Sequence, residues 1–343
     1  MKAVKQISAL TLSCLFILSG CSTLNTASTQ STVEQKSVVR STLDANLMMQ
    51  HLKEFQRIAT ENGGNRAVGT DGGQASAQYI LDQVKKANHS VQMLPFENRE
   101  KTIGQNIIVE IAGESKESAI IVGTHYDSVK MGPGINDNAS GVALVLELMN
   151  TYATQKIKPK HTLYLAFWDS EEVGIAGSQA FVKQLSDEKL KAIQAYINVD
   201  MVGTKNPEIL IADADKSSVV EMEKMLKERG MQEADYKPLL DSLKTVPSHS
   251  GDLALENTLK AFFQAKNLKI KEDVSTLTAS DTAPFLGKVP VASIILFNEQ
   301  LKGNELEFAP CYHKACDTLE QIDPNSLSLA GEAVLHLLKT LDK

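Results

Sequence analysis

Ala119-Ile120-Ile121-Val122-Gly123-Thr124-His125-Tyr126-Asp127 is an apolar run that stops abruptly at an imidazole and a carboxylate. It is short, rich in β-branched residues and almost unbroken in its hydrophobicity, the pattern of a strand covered by helices on both faces. Two further stretches repeat it. Leu163-Tyr164-Leu165-Ala166-Phe167-Trp168 ends in Asp169-Ser170-Glu171-Glu172, and Ala195-Tyr196-Ile197-Asn198-Val199 ends in Asp200. Open α/β sheets bind ligands beyond the carboxyl ends of their strands. Three strands therefore deliver His or carboxylate groups to one rim. Five residues of metal-ligand type, His125, Asp137, Glu172, Asp200 and His313, are expected to form a cluster there.

Outward from these strands, amphipathic patterns predict helices over 47–59 and 73–87, the second capped by Asp71, with a glycine-punctuated loop at 63–70 between them. Strands are expected at 106–111, 209–212 and 291–297, and helices at 139–152, 175–185, 217–228, 253–264 and 326–341. Such alternation marks an α/β architecture. The stretch 204–279 is the least readable, and a lid or pocket loops are expected around Pro238 to Ser250.

With 343 residues, 43% of them apolar, the chain can bury a full core, most simply as one domain over 45–343. A net charge of −7 gives no electrostatic footprint for nucleic acid. The leader is more specific. Lys2 and Lys5 precede an apolar run, Ile7 to Leu18, too short and too polar to span a bilayer. Leu18-Ser19-Gly20-Cys21 follows and resembles a bacterial lipobox. The resemblance implies a signal peptide over 1–20, lipid attachment at Cys21, and an exported lipoprotein held at the membrane, periplasmic or on the cell surface; an ordinary cleaved signal peptide is the alternative. Residues 21–44 then read as a Ser/Thr/Gln-rich tether. Cys311 and Cys316 sit in an oxidising setting that favours a disulfide stiffening the loop around His313. The competing reading, thiolate ligation of a metal, lacks a second Cys pair to complete a four-sulfur site.

The spacing of the remaining groups has chemical content. In an extended segment, residues two apart face the same way, so Asp127 can sit behind His125 and accept its second ring N–H, fixing the tautomer of a ligating imidazole. Asp137 lies in Asn136-Asp137-Asn138-Ala139-Ser140-Gly141, a polar turn whose small residues permit close backbone approach before a helix, and its carboxylate could bridge two ions. Glu171 and Glu172 follow a strand and must point apart. Glu172 can then ligate a metal while Glu171 serves as general base. Two metals can hold a hydroxide between them and polarise a carbonyl. Taken singly, His-x-Asp, Asp-Asn and Glu-Glu are more often structural hydrogen bonds or solvated caps. Their conjunction reverses those odds.

The blocks His125-Tyr126-Asp127, Asn136 to Gly141, Asp169-Ser170-Glu171-Glu172-Val173-Gly174, Asn198-Val199-Asp200-Met201-Val202-Gly203 and Cys311-Tyr312-His313 resemble, in order, those of metallopeptidase family twenty-eight, the secreted di-zinc aminopeptidases of clan MH. The resemblance implies a three-layer α/β/α sandwich with a mostly parallel mixed central sheet. It also implies two zinc ions, His125 and Asp200 on one, Glu172 and His313 on the other, Asp137 bridging and Glu171 as base. A cis peptide between Asp137 and Asn138, and a Tyr312 hydroxyl stabilising the tetrahedral intermediate, belong to the same expectation. The substrates would be peptides with a free amino terminus, their ammonium near Glu171 and Asp200, and the protein a monomer. One departure stands out: many members carry Ser-Asp-His-x-x-Phe where this chain has Ser280-Asp281-Thr282-Ala283-Pro284-Phe285.

Three rival functions remain. A carboxypeptidase usually holds the substrate carboxylate with an arginine, and no arginine follows Arg229 in the chain. A glutaminyl cyclase would use the same fold with a single zinc. A non-catalytic binding lipoprotein would have no need of all six site residues. His51, His89, His161, His249 and His336 read as surface or packing residues, and Trp168 as packing at a strand end.

Overall fold

The computed structural model describes residues 42–302 and 305–343. Cys21 and the leader lie outside the described residues, as does the tether up to residue 41. In chain order the elements are α1 (Ala45–Glu61), α2 (Asp71–Ala87), β1 (Ser90–Glu97), β2 (Ile103–Ile111), β3 (Ser115–His125), α3 (Ser140–Gln155), β4 (His161–Trp168), α4 (Ala176–Lys183), α5 (Asp187–Ala192), β5 (Ile193–Asp200), β6 (Glu208–Ala212), α6 (Ser217–Glu228), α7 (Glu233–Lys244), α8 (Asp252–Ala265), β7 (Ile270–Asp273), α9 (Ser275–Thr278), β8 (Val291–Phe297), β9 (Gln300–Lys302), β10 (Glu305–Glu307) and α10 (Pro324–Leu341).

Strands β1 to β8 form one mixed sheet in the order β1-β2-β4-β3-β5-β8-β6-β7. Its centre, β4-β3-β5-β8, is parallel. Antiparallel pairings join β2 to β4 and β6 to β8. The alternation of side chains along the strands divides the core in two. Ile107, Ile120, Val122, Leu165, Phe167, Ile197 and Val199 pack with α1, α2, α3, α8 and α10. Ile108, Ile121, Ala166, Trp168 and Tyr196 pack with α4, α6, α7 and α9. This is the expected α/β/α sandwich, and each fully buried Leu, Ile or Phe contributes about 1.5–3 kcal/mol.

Register positions the chemistry. His125, the last residue of β3, pairs with Trp168, the last of β4. Gly123 pairs with Asn198, which puts Asp200, two residues on, at the level of His125. All three strands therefore end together. Helix α3 is buried on every side from Ser140 to Met149, so the turn leading into it is fixed to the middle of the molecule.

Three of the differences between structure and sequence reading have a local physical cause. The α2 cap is Thr70, whose hydroxyl accepts the Gly73 N–H at 3.1 Å; Asp71 is already the first helical residue, where its charge suits the helix dipole. Part of the expected loop is helix α7, which buries Tyr236 and Leu240 four residues apart; Pro238 inside it masks the pattern. Strand β1 is absent from the sequence reading because it is an exposed edge whose apolar alternation changes phase midway, from Val91 and Met93 to Leu94 and Phe96, and it carries Pro95 where an edge tolerates a missing donor.

Candidate metal centre

At the rim, backbone and side-chain bonds clamp each loop before any ligand is considered. The Asp137–Asn138 peptide is cis. Asn138 Oδ1 accepts the N–H groups of Gly141 and Met201 at 3.0 and 3.2 Å, while its Nδ2 donates to Thr124 Oγ1 and to the Val199 carbonyl, both at 3.0 Å. One amide thus ties the turn before α3 to the ends of β3 and β5. A Cβ on Gly141 would collide with Thr124, Asn138 and the Val199 carbonyl, so glycine is required by the close approach. Asn136 repeats the device on the other side, accepting from Gly203 N–H at 3.0 Å and donating to Thr204 Oγ1 at 2.8 Å.

The expected ligands meet. His125 Nε2 lies 3.3 Å from Asp137 Oδ1 and 3.5 Å from Asp200 Oδ1. His313 Nε2 lies 3.2 Å from Asp137 Oδ2 and 3.1 Å from Glu172 Oε2. Two groups result, His125–Asp137–Asp200 and Asp137–Glu172–His313, each with its ligand atoms within 4.8 Å of one another. Asp137 belongs to both, one oxygen in each. Asp200 Oδ1 and Glu172 Oε1 are buried and make no hydrogen bond. Buried carboxylate oxygens left this way are costly unless a cation meets them. Each group thus holds one carboxylate with such an oxygen, together with an imidazole and a share of Asp137, a donor set that fits a pair of divalent transition metals.

Electrostatics point the same way. Burial alone would lower His125 and His313, but Asp200 with the hydrogen-bonding carboxylates around His125 raises it well above 6.5, and Asp137 and Glu172 lift His313 to about 10. Burial and the Asp137 charge push Glu172 to about 7. Against burial, the bonds to both imidazoles hold Asp137 well below the usual carboxylate range. The site is an acidic basin that draws positive charge to its two imidazoles.

Asp127 does more than stand behind His125. Its Oδ1 is 3.4 Å from His125 Nδ1, and its carboxylate also accepts the Glu171 and Glu172 N–H groups at 3.0 and 3.3 Å, joining the β3 end to the Glu-Glu turn. Glu171 is half-buried in that turn; desolvation first, then the charges of Asp281, Asp200 and Glu172, raise it well above 4.5. Tyr312 is half-buried, stacked on the His313 ring with centroids 3.8 Å apart, and burial with the charges of Asp137, Glu172, Asp200 and Glu171 raises its hydroxyl. The Cys311–Cys316 disulfide is formed.

Two residues escaped the sequence reading. Asp317 accepts the Asn136 and Asp137 N–H groups at 2.8 and 3.0 Å. Arg66, fully buried, donates to the carbonyls of Tyr126, Pro133 (2.8 Å) and Gly134 (2.6 Å), so one cation spans the loop after His125 and the loop before Asp137. Burial lowers it to about 10 while Asp127, Asp317, Asp137 and Glu172 oppose the fall. Neither carries a spacing signal; only their closeness to the motif blocks could have drawn notice. A groove of about 970 Å³ between α1, α2 and α3, lined by His51, Tyr79 and Glu147 among others, contains none of the rim residues.

Residues 106–338 match the family model of peptidase family M28. The chain is 28% identical over 302 residues to leupeptin-inactivating enzyme 1 of Streptomyces exfoliatus, spanning 85% of this chain and 60% of the relative. It is 32% identical over 246 residues to the probable lipoprotein aminopeptidase LpqL of Mycobacterium tuberculosis, spanning 68% of this chain and 44% of that one. The match thus spans about half the length of these curated relatives. Among solved structures, an aminopeptidase from Aneurinibacillus sp. strain AM-1 superposes with a TM-score of 0.65 at 16% identity, covering 88% of this chain and 94% of that one. An Acidobacteriales bacterium glutaminyl cyclase does equally well, with a TM-score of 0.65 at 19% identity over 88% and 95%. These two likenesses concern the fold alone. Because the family match takes in the β3, β4 and β5 ends together with the His313 loop, the chain belongs to peptidase family M28.

Proposed function

We propose that this protein is a di-zinc aminopeptidase that removes the first residue of peptides with a free amino terminus. The observation that carries the reading is Asp137, with Oδ1 3.3 Å from the His125 imidazole and Oδ2 3.2 Å from that of His313. A carboxylate with one oxygen beside each imidazole is placed to serve two ions. His125 and Asp200 would hold one zinc, Glu172 and His313 the other, with Asp137 between them. Zinc bound there would supply Lewis acidity, bringing the pKa of water towards about 7 and polarising the scissile carbonyl.

The chain's own groups do the rest. Asp127 orients His125 and the Glu171–Glu172 backbone. Glu171 takes the proton of the attacking water and passes it to the departing amine. Tyr312 donates its hydroxyl to the developing oxyanion, a contribution of typically about 3 kcal/mol. The carboxylates of Glu171 and Asp200 receive the substrate ammonium. The name of the relative LpqL, a probable lipoprotein aminopeptidase, supports a lipoprotein; export, anchoring through Cys21 and a monomeric state are proposed with it.

A panel of aminoacyl-nitroanilides, run beside amino-blocked controls and glutaminyl peptides with metal content measured on the same preparation, tests the reading. Cleavage confined to free amino termini, lost on chelation and restored by zinc, is the expected result. Ammonia release from glutaminyl peptides without nitroanilide cleavage would instead identify a cyclase, and chelator-resistant cleavage would remove the metals from the chemistry.

A further inference from the structure

A line of buried hydrogen bonds runs through the sheet to Asp200. Trp168 Nε1 donates to Tyr196 Oη at 3.0 Å, Tyr196 Oη to Asn198 Oδ1 at 2.9 Å, Asn198 Nδ2 to Ser280 Oγ at 3.0 Å, and Ser280 Oγ to Asp200 Oδ2 at 2.7 Å. Each of the five residues is buried. The direction of the line is set at both ends. An indole N–H can only donate, so Tyr196 must accept from it and send its own proton onward to the Asn198 carbonyl. An ionised carboxylate can only accept, so Ser280 must donate to Asp200 and accept from the Asn198 amide. The two ends require the same orientation of Asn198, and the bonds polarise one another in one sense.

The line exists because of a missing side chain. Trp168 is on β4 and Tyr196 on β5, with β3 between them. At Gly123 of β3, a Cβ would lie 2.5 Å from both Trp168 Nε1 and Tyr196 Oη, so any other residue would strike this bond. Stacking of Tyr196 on Phe285, centroids 3.8 Å apart and planes 9° from parallel, holds the phenol ring in place. The same turn that supplies Phe285 follows Ser280.

We propose that Ser280, Asn198, Tyr196 and Trp168 are positioning residues that reserve Asp200 Oδ1 for the metal shared with His125, acting on that ion and not on the one held by Glu172 and His313. Ser280 occupies Oδ2 and leaves Oδ1, the oxygen with no hydrogen bond, on the side of His125 Nε2. Without the hydroxyl, the carboxylate can turn and its second oxygen loses its donor. No comparable line reaches Glu172 among the described residues, which is why the effect is one-sided. This inference rests on the two-metal reading above.

Cobalt(II) titration of the metal-free protein, followed by visible absorption, tests it without reference to turnover. His313→Ala and His125→Ala supply the spectrum of each position alone. Ser280→Ala is expected to weaken the position seen in His313→Ala by about tenfold or more, as loss of a ligand's supporting hydrogen bond commonly does. The other position should move by less than about threefold on the same scale. Tyr196→Phe keeps the ring and breaks the line two bonds further back; the same position should weaken, by less. Equal weakening of both positions in both variants, or no weakening in either, overturns the inference. A wild-type protein that takes up no cobalt at either position overturns the two-metal reading itself, and this is known before any Ser280 or Tyr196 variant is measured.

Discussion

Glu171 and Arg66 show how much a single side chain carries here. Glu171 is half-buried, next to Glu172 in the same turn, and is itself in neither ligand group. Replacing Glu171→Gln keeps its size and should leave zinc content unchanged while lowering kcat by about 10²- to 10⁴-fold, the usual weight of a general base. Near-normal turnover in a fully loaded variant would remove Glu171 from the mechanism. Arg66 acts through three backbone carbonyls and as the buried cation among Asp127, Asp137, Asp317 and Glu172. Arg66→Met would leave those carbonyls and carboxylates uncompensated, at a cost of about 3–5 kcal/mol. Urea unfolding reads this directly, and a loss below about 1 kcal/mol would assign the residue no such role.

At the scale of elements, the contact between α1 and α2 makes stability depend on pH. His51 Nδ1 is 2.7 Å from Tyr79 Oη across these helices, and burial, then the Lys86 charge, lowers His51 from 6.5 to about 4. Between pH 6.5 and 4 the unfolded chain therefore binds a proton that the folded chain refuses. Folding stability from this group is complete above pH 6.5 and falls as the pH drops, levelling off below 4 at a loss of about 3 kcal/mol at most. In His51→Gln the melting temperature should vary less over that window than in the wild type. Parallel profiles would show that His51 does not carry the effect. The element scale is also where sequence patterns were most legible: α6 and β8 coincide with their expected bounds, since each has an uninterrupted period and a clear end. Helix α7 and strand β1 were hidden for the opposite reason, a proline in one and an exposed edge in the other.

For the whole molecule, the acidic rim implies that metal loading and stability are linked. A cation that binds only the folded chain stabilises it by about 2.7 kcal/mol at a hundred times its Kd. Chelation should therefore lower the melting temperature by several degrees, with zinc restoring it and magnesium failing to, because imidazoles in the donor set suit the former. An unchanged melting temperature after complete removal of metal would contradict a built metal centre. The crowding of Asp137, Glu172, Glu171, Asp281 and Asp317 around two imidazoles and one buried arginine makes the metal-free protein pay electrostatically for keeping its rim intact.

The sequence by itself determined that three strands end in ligand-type residues at one rim, since an apolar run and the polar residue that stops it are neighbours in the chain. It determined the α/β class for the same reason. Only the tertiary structure decided which carboxylate oxygen faces which imidazole, that Asp127 also holds the Glu171–Glu172 backbone, that Asp317 and Arg66 tie the ligand loops together, and that a glycine in β3 lets Trp168 reach Tyr196. Each of these joins residues far apart in the chain through register and close approach, and no local period records such contacts.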